Sequence, residues 1–154
     1  MDSLPHRHLT TLTLAVDYAG IVAIGAVRAG RRGIAPVTGG SFTGERLRGT
    51  VRGGSDWFVS IADGPLAIDV RLTLDTHDGA AIYCRYEGRM TAAPEAMTRF
   101  RNGALLTPGE YALTTMARFE CGDERYRWLE DVIAIGVGEQ TPAGPVYTLF
   151  EVGR

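Results

Sequence analysis

Asp56 and Trp57 have the residue types and the position that chemistry requires. They follow the second of two glycine pairs in the segment GGSFTGERLRGTVRGGSDW, residues 39–57. Glycine permits positive φ and close approach, so an acid and an indole beside such a turn are typical of a pocket rim. Desolvation would raise the carboxyl pKa and let Asp56 act as a general base or acid, while Trp57 stacks on a flat ligand. The structural alternative is that Asp56 accepts hydrogen bonds from turn amides and Trp57 fills the core.

Four polar residues on two neighbouring strand candidates form a second group: Asp69, Arg71, Tyr83 and Arg85. Opposed residues on paired strands lie about 5 Å apart, so these side chains could form one patch. If this face lines a barrel, Arg71 or Arg85 would bind a carboxylate or enolate and Tyr83 would donate a hydrogen bond. The alternative places the leucine-rich face inward and leaves the patch in water as a cross-strand salt bridge. The two arrangements predict opposite burial.

A third group surrounds the turn at residues 121–125. Glu120 and Trp128 flank this turn, with Tyr126 between them, and could form an aromatic and acidic wall opposite Asp56. The structural alternative is an edge-strand acid beside two core aromatics. On the strand that ends at Glu120, Thr115 is a further candidate ligand-binding residue.

The chain lacks several residues that common catalytic mechanisms need. All 16 basic residues are arginines, which excludes a Schiff-base lysine, a pyridoxal phosphate anchor and a phosphate-loop lysine. None of the four serines lies in a G-x-S-x-G motif. His6 and His8 are two residues apart without a third ligand nearby, and His77 lies in a predicted turn, so we predict neither a metal site nor a cofactor. Proton chemistry would therefore depend on carboxylates, tyrosines or a histidine.

Length and charge indicate one globular domain over residues 1–154. The net charge of −2 implies no broad attraction to nucleic acid or to an anionic membrane. Arg28, Arg31 and Arg32 form the one basic cluster. We interpret it as a solvated turn, with binding of an anionic ligand as the alternative.

Three features predict a cytoplasmic protein. No apolar run reaches the roughly 18–20 residues needed to span a bilayer. The N-terminal residues lack the charged-then-apolar pattern of a secretory signal. Cys84 and Cys121 form no close motif and are too few for a disulfide scaffold, so we expect buried reduced thiols.

Short alternating stretches between glycine-rich turns must position these residues. The clearest stretch is 66–74, in which apolar and mostly polar residues alternate, and a turn at 76–79 connects it to 80–87 as a hairpin. Pro94 suits a first helical position and Gly103 a C-terminal cap, which predicts one helix over 94–102. The other strand candidates are 10–16, 21–27, 46–51, 57–61, 111–120, 131–137 and 146–152.

This pattern predicts an all-β fold, a single antiparallel β-barrel of about eight to nine strands with one short helix. Small barrels commonly bind a ligand in the mouth. Residues 92–107, around the helix, would cap one end of the barrel or cross its outside.

Three segments resemble, in order, the domain-of-unknown-function family 3237. They are GGSFTGERLRGTVRGGSDW, LAIDVRLTLDTHDGAAIYCRYEG and EYALTTMARFECGDERYRWLEDVIAIGVGE, and the resemblance extends from about residue 12 to residue 152. It implies a compact calycin-like barrel from a bacterium or fungus and brings no established reaction. Three positions depart from the family pattern: His77 stands where an acid is usual, Cys121 where threonine is usual and Thr114 where arginine is expected.

Two functional hypotheses from different classes follow. The first is a cofactor-independent enzyme that isomerises, cyclises, hydrates or hydrolyses a small aromatic or polyketide-like molecule. Asp56 would be its base, Tyr83 or Glu120 its acid and Arg71 its oxyanion stabiliser, and the ligand would contact Trp57, Asp69, Arg85, Trp128 and Thr115. The second is a non-catalytic binding or carrier barrel, with no partner beyond its ligand and a possible second copy of the chain. A packed barrel that only associates with itself is a third interpretation.

Overall fold

The computed structural model describes residues 1–153 of the chain. Within that range the chain forms ten strands, one α-helix and one 3₁₀ helix. In chain order they are β1 (His6–Val16), β2 (Val22–Val27), β3 (Gly30–Thr43), β4 (Gly49–Asp56), β5 (Val59–Ser60), β6 (Leu66–Thr76), β7 (Ala81–Ala92), α1 (Pro94–Arg101), β8 (Tyr111–Glu120), the 3₁₀ helix (Glu124–Asp131), β9 (Ala134–Thr141) and β10 (Gly144–Val152).

Eight of the strands close into an antiparallel barrel. Their order is β1-β10-β9-β8-β7-β6-β4-β3, and β3 pairs again with β1. Strand β2 pairs with β3, and the short β5 bridges β3 and β6, so these two strands are additions to the closed ring. Closure removes the unpaired edges that an open sheet of this size would expose. The predicted all-β antiparallel barrel is confirmed.

The leucine-rich face of β6 points into the barrel. Ile68, Val70, Leu72 and Leu74 are buried, whereas Arg71 is exposed. The period-two alternation therefore has its usual sense, with the apolar side chains inside.

The polar patch of β6 and β7 consequently lies on the outer face of the barrel. Asp69 is half-buried there, and Tyr83 and Arg85 are exposed. Register places Arg71 opposite Arg85, not opposite a carboxylate. The leucine-rich face therefore points inward and the polar patch outward, as the second arrangement predicts. The four residues make no salt bridge with one another, so the cross-strand ion pair of that arrangement is not formed.

The two glycine pairs lie inside strands, which corrects the expectation that they form turns. Gly40 has φ of 139° and Gly53 has φ of 148°, in the region that favours glycine. A Cβ at Gly40 would lie 2.0 Å from the carbonyl oxygen of Thr13. The register shifts between Val51 and Gly53, so this glycine marks a β-bulge that bends β4.

Strand β3 and the 3₁₀ helix were not predicted. Strand β3 carries two arginines, Pro36 and a glycine pair, all of which are depleted in strands or typical of turns. It forms because β1, β2, β4 and β5 all pair with parts of it. The predicted strand at 46–51 instead begins at Gly49 and continues to Asp56, and the one at 57–61 shortens to Val59–Ser60.

A helix caps each end of the barrel. Helix α1 contributes Ala96 and Met97 to the core, and Arg101 fixes it by donating to Ser60 Oγ at 2.9 Å and to the carbonyl oxygens of Ile61 and Gly64. Residues 92–107 were expected either to cap one end of the barrel or to cross its outside, and the structure shows the cap. At the opposite end, where β8 leads into β9, the 3₁₀ helix buries Leu129.

Candidate functional site

Asp56 lies at the end of β4, where this strand separates from β6. Its Oδ1 accepts the main-chain N–H of Asp69 at 3.1 Å, while the N–H of Trp57 donates to the Asp69 carbonyl at 2.8 Å. The Trp57 carbonyl in turn accepts from Arg32 Nη1 at 2.6 Å. The carboxylate thus takes the place of a main-chain acceptor and completes the hydrogen bonding of β6.

The pKa of Asp56 is raised to about 7. Burial is the main cause, because desolvation disfavours the charged form, and the negative charge of Asp69 adds to it. The hydrogen bond from Asp69 and the charge of Arg32 act in the opposite direction. Oδ2 accepts no hydrogen bond from residues 1–153. One oxygen therefore takes part in the hydrogen bonding of the sheet, and the other does not.

Two core tyrosines lie within electrostatic range of Asp56. The rings of Tyr86 and Tyr147 are 5.1 Å apart between centroids and tilted by 60°. Burial and the charge of Asp56 raise the pKa of each above its usual value, and for Tyr86 the neighbouring Tyr147 contributes as well. Both hydroxyls therefore stay protonated at neutral pH, and the raised pKa makes them weaker acids than an exposed tyrosine. Period-two alternation with Cys84 and Leu149 indicates that both point inward, but sequence reasoning did not connect them with Asp56.

Thr115 is buried in the same core, and its hydroxyl has no partner. Its side chain is 2% exposed, and Oγ1 lacks a hydrogen bond to any described residue. Gly136 faces it across the β8–β9 pair, where a Cβ would lie 2.4 Å from Oγ1. An unpaired buried hydroxyl costs about 1–3 kcal/mol.

An open groove of about 300 Å³ lies on the outer face of β6 and β7, and it includes Asp69, whose main-chain N–H donates to Asp56. We call it the Trp57 groove; its lining includes Arg32, Trp57, Val59, Asp69, Glu87 and Arg89, but not Asp56 itself. Arg71 approaches from the side, with Cζ 5.9 Å from the centroid of the Trp57 ring. The structure thus brings Asp56, Trp57, Asp69 and Arg71 together.

The charged side chains of the Trp57 groove form few hydrogen bonds or ion pairs with the rest of the protein. Oδ1 of Asp69 is buried and accepts no hydrogen bond from the part of the chain that the structure describes. Glu87 and Arg89 form no ion pair or side-chain hydrogen bond with residues 1–153, and Arg32 bonds only to the Trp57 carbonyl. Arg28 lies exposed in the turn before β3, as interpreted, whereas Arg31 and Arg32 lie in β3 and Arg32 is half-buried. Arg32 and Arg89 were missed as site residues because strand register, and not local sequence, brings them together.

A second open groove, of about 530 Å³, holds Tyr83 and Glu120. We call it the Tyr83 groove; it is lined by Thr73, Tyr83, Glu120, Cys121, Arg127 and Glu130. Tyr83 pairs with Thr73 and with Glu120, whereas Asp56 pairs with Val70. A separation of three residues along β6 is roughly 10 Å. Although this groove is larger, the perturbed carboxyl lies beside the smaller one, so Tyr83 and Glu120 are not brought to Asp56.

Trp128 and Tyr126 belong to the opposite end of the barrel from Asp56. Trp128 donates from Nε1 to the Arg125 carbonyl at 3.1 Å, and Arg46 lies over its ring at 5.1 Å. The Tyr126 hydroxyl donates to Asp78 Oδ1 at 2.7 Å. These residues close the barrel, and no wall opposite Asp56 is formed.

The histidines and cysteines form no centre of their own. His6 and His8 contact the Phe150 ring edge-on, and His77 is exposed in its turn. Cys84 and Cys121 are free and buried, and burial raises the pKa of the Cys84 thiol to about 12. No cluster of three metal-ligating side chains occurs within residues 1–153. Nor does any helix in that range have the length and apolar character needed to cross a bilayer.

Three comparisons relate the chain to known proteins. A UPF0311 protein of Clostridium acetobutylicum is 24% identical over 153 residues, covering 99% of this chain and 96% of that protein. A crystal structure of a β-barrel-like protein from Acinetobacter baumannii is 27% identical, covers 99% and 98% of the two chains, and has a TM-score of 0.84. The crystal structure of an enzyme from Penicillium herquei is 21% identical, covers 97% and 94%, and has a TM-score of 0.73.

The family model described as protein of unknown function, DUF3237, matches residues 5–152. This match extends over all ten strands and both helices, to the last residue of β10. The chain therefore belongs to the DUF3237 family.

Proposed function

We propose that this protein is a cofactor-independent enzyme that performs acid–base chemistry on a small aromatic or polyketide-like metabolite, with Asp56 as the proton acceptor. The observation that carries the proposal is the Asp56 carboxyl, whose pKa of about 7 is set mainly by burial. A group that titrates near neutral pH can accept a proton and return it within one turnover. Isomerisation, cyclisation, hydration and lactone hydrolysis all need such a group.

The Trp57 groove supports the proposal as the place where a substrate would bind. The indole offers a flat apolar surface, and Arg71 beside it would stabilise a developing oxyanion. Because Tyr83 and Glu120 line the other groove, we assign the return of the proton to Asp56 itself. The enzyme from Penicillium herquei is a precedent for an enzyme on this fold.

Turnover of a panel of aryl lactones and enolisable aryl ketones would test this function. We expect Asp56→Asn to reduce kcat by about 10²–10⁴-fold, which is the usual contribution of a general base. Wild-type activity should rise with pH through an inflection near 7, because the ionised carboxylate is the active form. Asp75→Asn, a change on the outer face of β6 at a half-buried residue paired with Arg52, should leave the rate unaltered. Full turnover by Asp56→Asn would exclude Asp56 as the base.

A binding or carrier function is the second candidate. It is favoured by the hydrogen bond between Asp56 Oδ1 and the N–H of Asp69, which gives the carboxyl a structural role without proton transfer. A carrier would bind members of the panel with similar affinity in the wild type and in Asp56→Asn, and would release each compound unchanged.

A further inference from the structure

We propose that the Trp57 groove binds an aromatic hydroxycarboxylate, a planar ring that bears one hydroxyl and one carboxylate group. The inference rests on the proposed function for its chemical meaning, because it names the class of substrate that would lie next to Asp56. Its binding part can be measured without any turnover.

The carboxylate of Asp69 lines the groove and indicates the hydroxyl. Neither of its oxygens accepts a hydrogen bond from residues 1–153. A carboxylate oxygen only accepts, so it needs a donor from a ligand or a water. Hydrogen bonds to a charged group are stronger than those between neutral groups.

Two guanidinium groups indicate the carboxylate. Arg89 has no ion pair or hydrogen bond within residues 1–153, and Arg32 uses one N–H on the Trp57 carbonyl. Asp69 and Glu87 line the same groove but pair with neither arginine. The remaining N–H groups of Arg32 and the guanidinium of Arg89 match the planar, two-oxygen geometry of a carboxylate.

The Trp57 indole and the arginines around the groove define the rest of the ligand class. The indole of Trp57 provides a stacking surface within a space of about 300 Å³, at the lower limit of ligand pockets, which suits one or two rings. An amine could also donate to Asp69. However, Arg32, Arg71 and Arg89 all lie at or beside the groove and would repel a positively charged amine. A neutral hydroxyl is therefore the better donor.

Calorimetric titration with three probes separates these contributions. The probes are 4-hydroxybenzoate, benzoate, which lacks the hydroxyl, and 4-hydroxybenzamide, which lacks the negative charge. We expect 4-hydroxybenzoate to bind at least tenfold more tightly than either of the others. Equal affinity for all three probes, or no binding of 4-hydroxybenzoate up to 10 mM (roughly the range of weak millimolar affinity), would overturn the proposal.

Matched variants assign each contact. Asp69→Asn should weaken binding of 4-hydroxybenzoate about tenfold and leave benzoate unchanged, whereas Arg89→Gln should weaken both carboxylates and leave the benzamide unchanged. The controls are Asp75→Asn, at a half-buried residue of β6, and Arg118→Gln, an exposed change on β8; neither residue lines the groove, so neither change should alter an affinity. If a control lowers the affinity as much as its partner variant, the ligand does not lie in the Trp57 groove.

The proposed enzymatic function and the proposed ligand class can be refuted independently of each other. Selective binding of 4-hydroxybenzoate without turnover of any aromatic hydroxycarboxylate would keep the groove assignment and remove the catalytic one. Turnover of uncharged lactones that depends on Asp56, together with no binding of 4-hydroxybenzoate, would retain the enzyme and overturn this substrate class.

Discussion

At the residue scale, the two oxygens of Asp56 have different environments, and this difference explains its properties. Oδ1 receives the N–H of Asp69 and holds β4 against β6 as the strands separate. The same burial that this role requires raises the carboxyl pKa to about 7. The structural and the chemical interpretation of Asp56 are therefore compatible, since the first produces the environment that the second needs.

Thr115 provides a test at this scale. Its buried hydroxyl is unpaired within residues 1–153, so Thr115→Val should leave the free energy of unfolding unchanged or increase it by up to about 1 kcal/mol. Thr10 is the matched control, because it is equally buried but donates to the Leu47 carbonyl at 2.9 Å. Thr10→Val should cost about 1–2 kcal/mol in urea unfolding. A larger loss for Thr115→Val would mean that its hydroxyl is already satisfied, for instance by a buried water.

At the element scale, strand β9 is shaped by two inward glycines. Gly136 and Gly138 are buried and face Thr115 and the Tyr147 ring. Without side chains of their own they let these larger groups occupy the core. The packing of Tyr147, and through it the surroundings of Asp56, depends on this space.

Gly138→Ala should therefore destabilise the barrel. The new Cβ would lie 2.6 Å from Leu113 Cδ2 and 2.7 Å from the Tyr147 ring, which is an overpacking that costs about 1–3 kcal/mol. Gly122→Ala is the control, because a Cβ there meets nothing within 4 Å. We expect thermal unfolding to show a lowered midpoint for Gly138→Ala and a midpoint near that of the wild type for Gly122→Ala. Equal midpoints for the two variants would show that the core around Tyr147 is loose.

The strands also show how much of the fold and of the site could be predicted from the sequence. The alternating stretch 66–74 became β6, and Tyr111–Glu120 has its predicted bounds, because their hydrophobic pattern has a period of two. Strand β3 was missed, since its glycines, Pro36 and arginines are outweighed by pairing with four neighbours. Asp56 and Trp57 were found because their signal is local, whereas Arg32 and Arg89 join them through register that only the closed barrel defines.

At the scale of the whole molecule, carboxyls with opposite pKa shifts lower the free energy of unfolding at both acid and alkaline pH. Hydrogen bonds from Arg99 and Arg125 lower the pKa of Glu110 and of Asp123 to about 2 each. Their contribution is complete above the ordinary pKa of about 4 and is lost as the pH falls toward 2. Burial raises the pKa of Asp56, whose contribution is complete below about 4 and is lost as the pH rises through 7.

Stability should therefore be greatest near pH 4–5 and fall toward pH 8. The fall due to Asp56 is up to about 4 kcal/mol, because each unit of pKa difference corresponds to about 1.4 kcal/mol. Asp56→Asn should remove it, so the variant should be more stable than the wild type at pH 8 but not at pH 4. Urea unfolding at both pH values measures this difference.

The control for this comparison is Asp75→Asn. The hydrogen bond from Arg52 lowers the pKa of Asp75, so this variant should keep the fall between pH 4 and pH 8. A wild-type stability that is constant over that interval would be inconsistent with a buried Asp56 carboxyl.

The most direct test of the central claim is a carbon-13 NMR titration of the aspartate carboxyls in the wild type and in Asp56→Asn. One carboxyl resonance should titrate near pH 7 in the wild type and be absent from the variant. If the resonance that disappears in Asp56→Asn instead titrates near 4, the ordinary value for an aspartate, Asp56 is a structural carboxylate and is not poised for proton transfer.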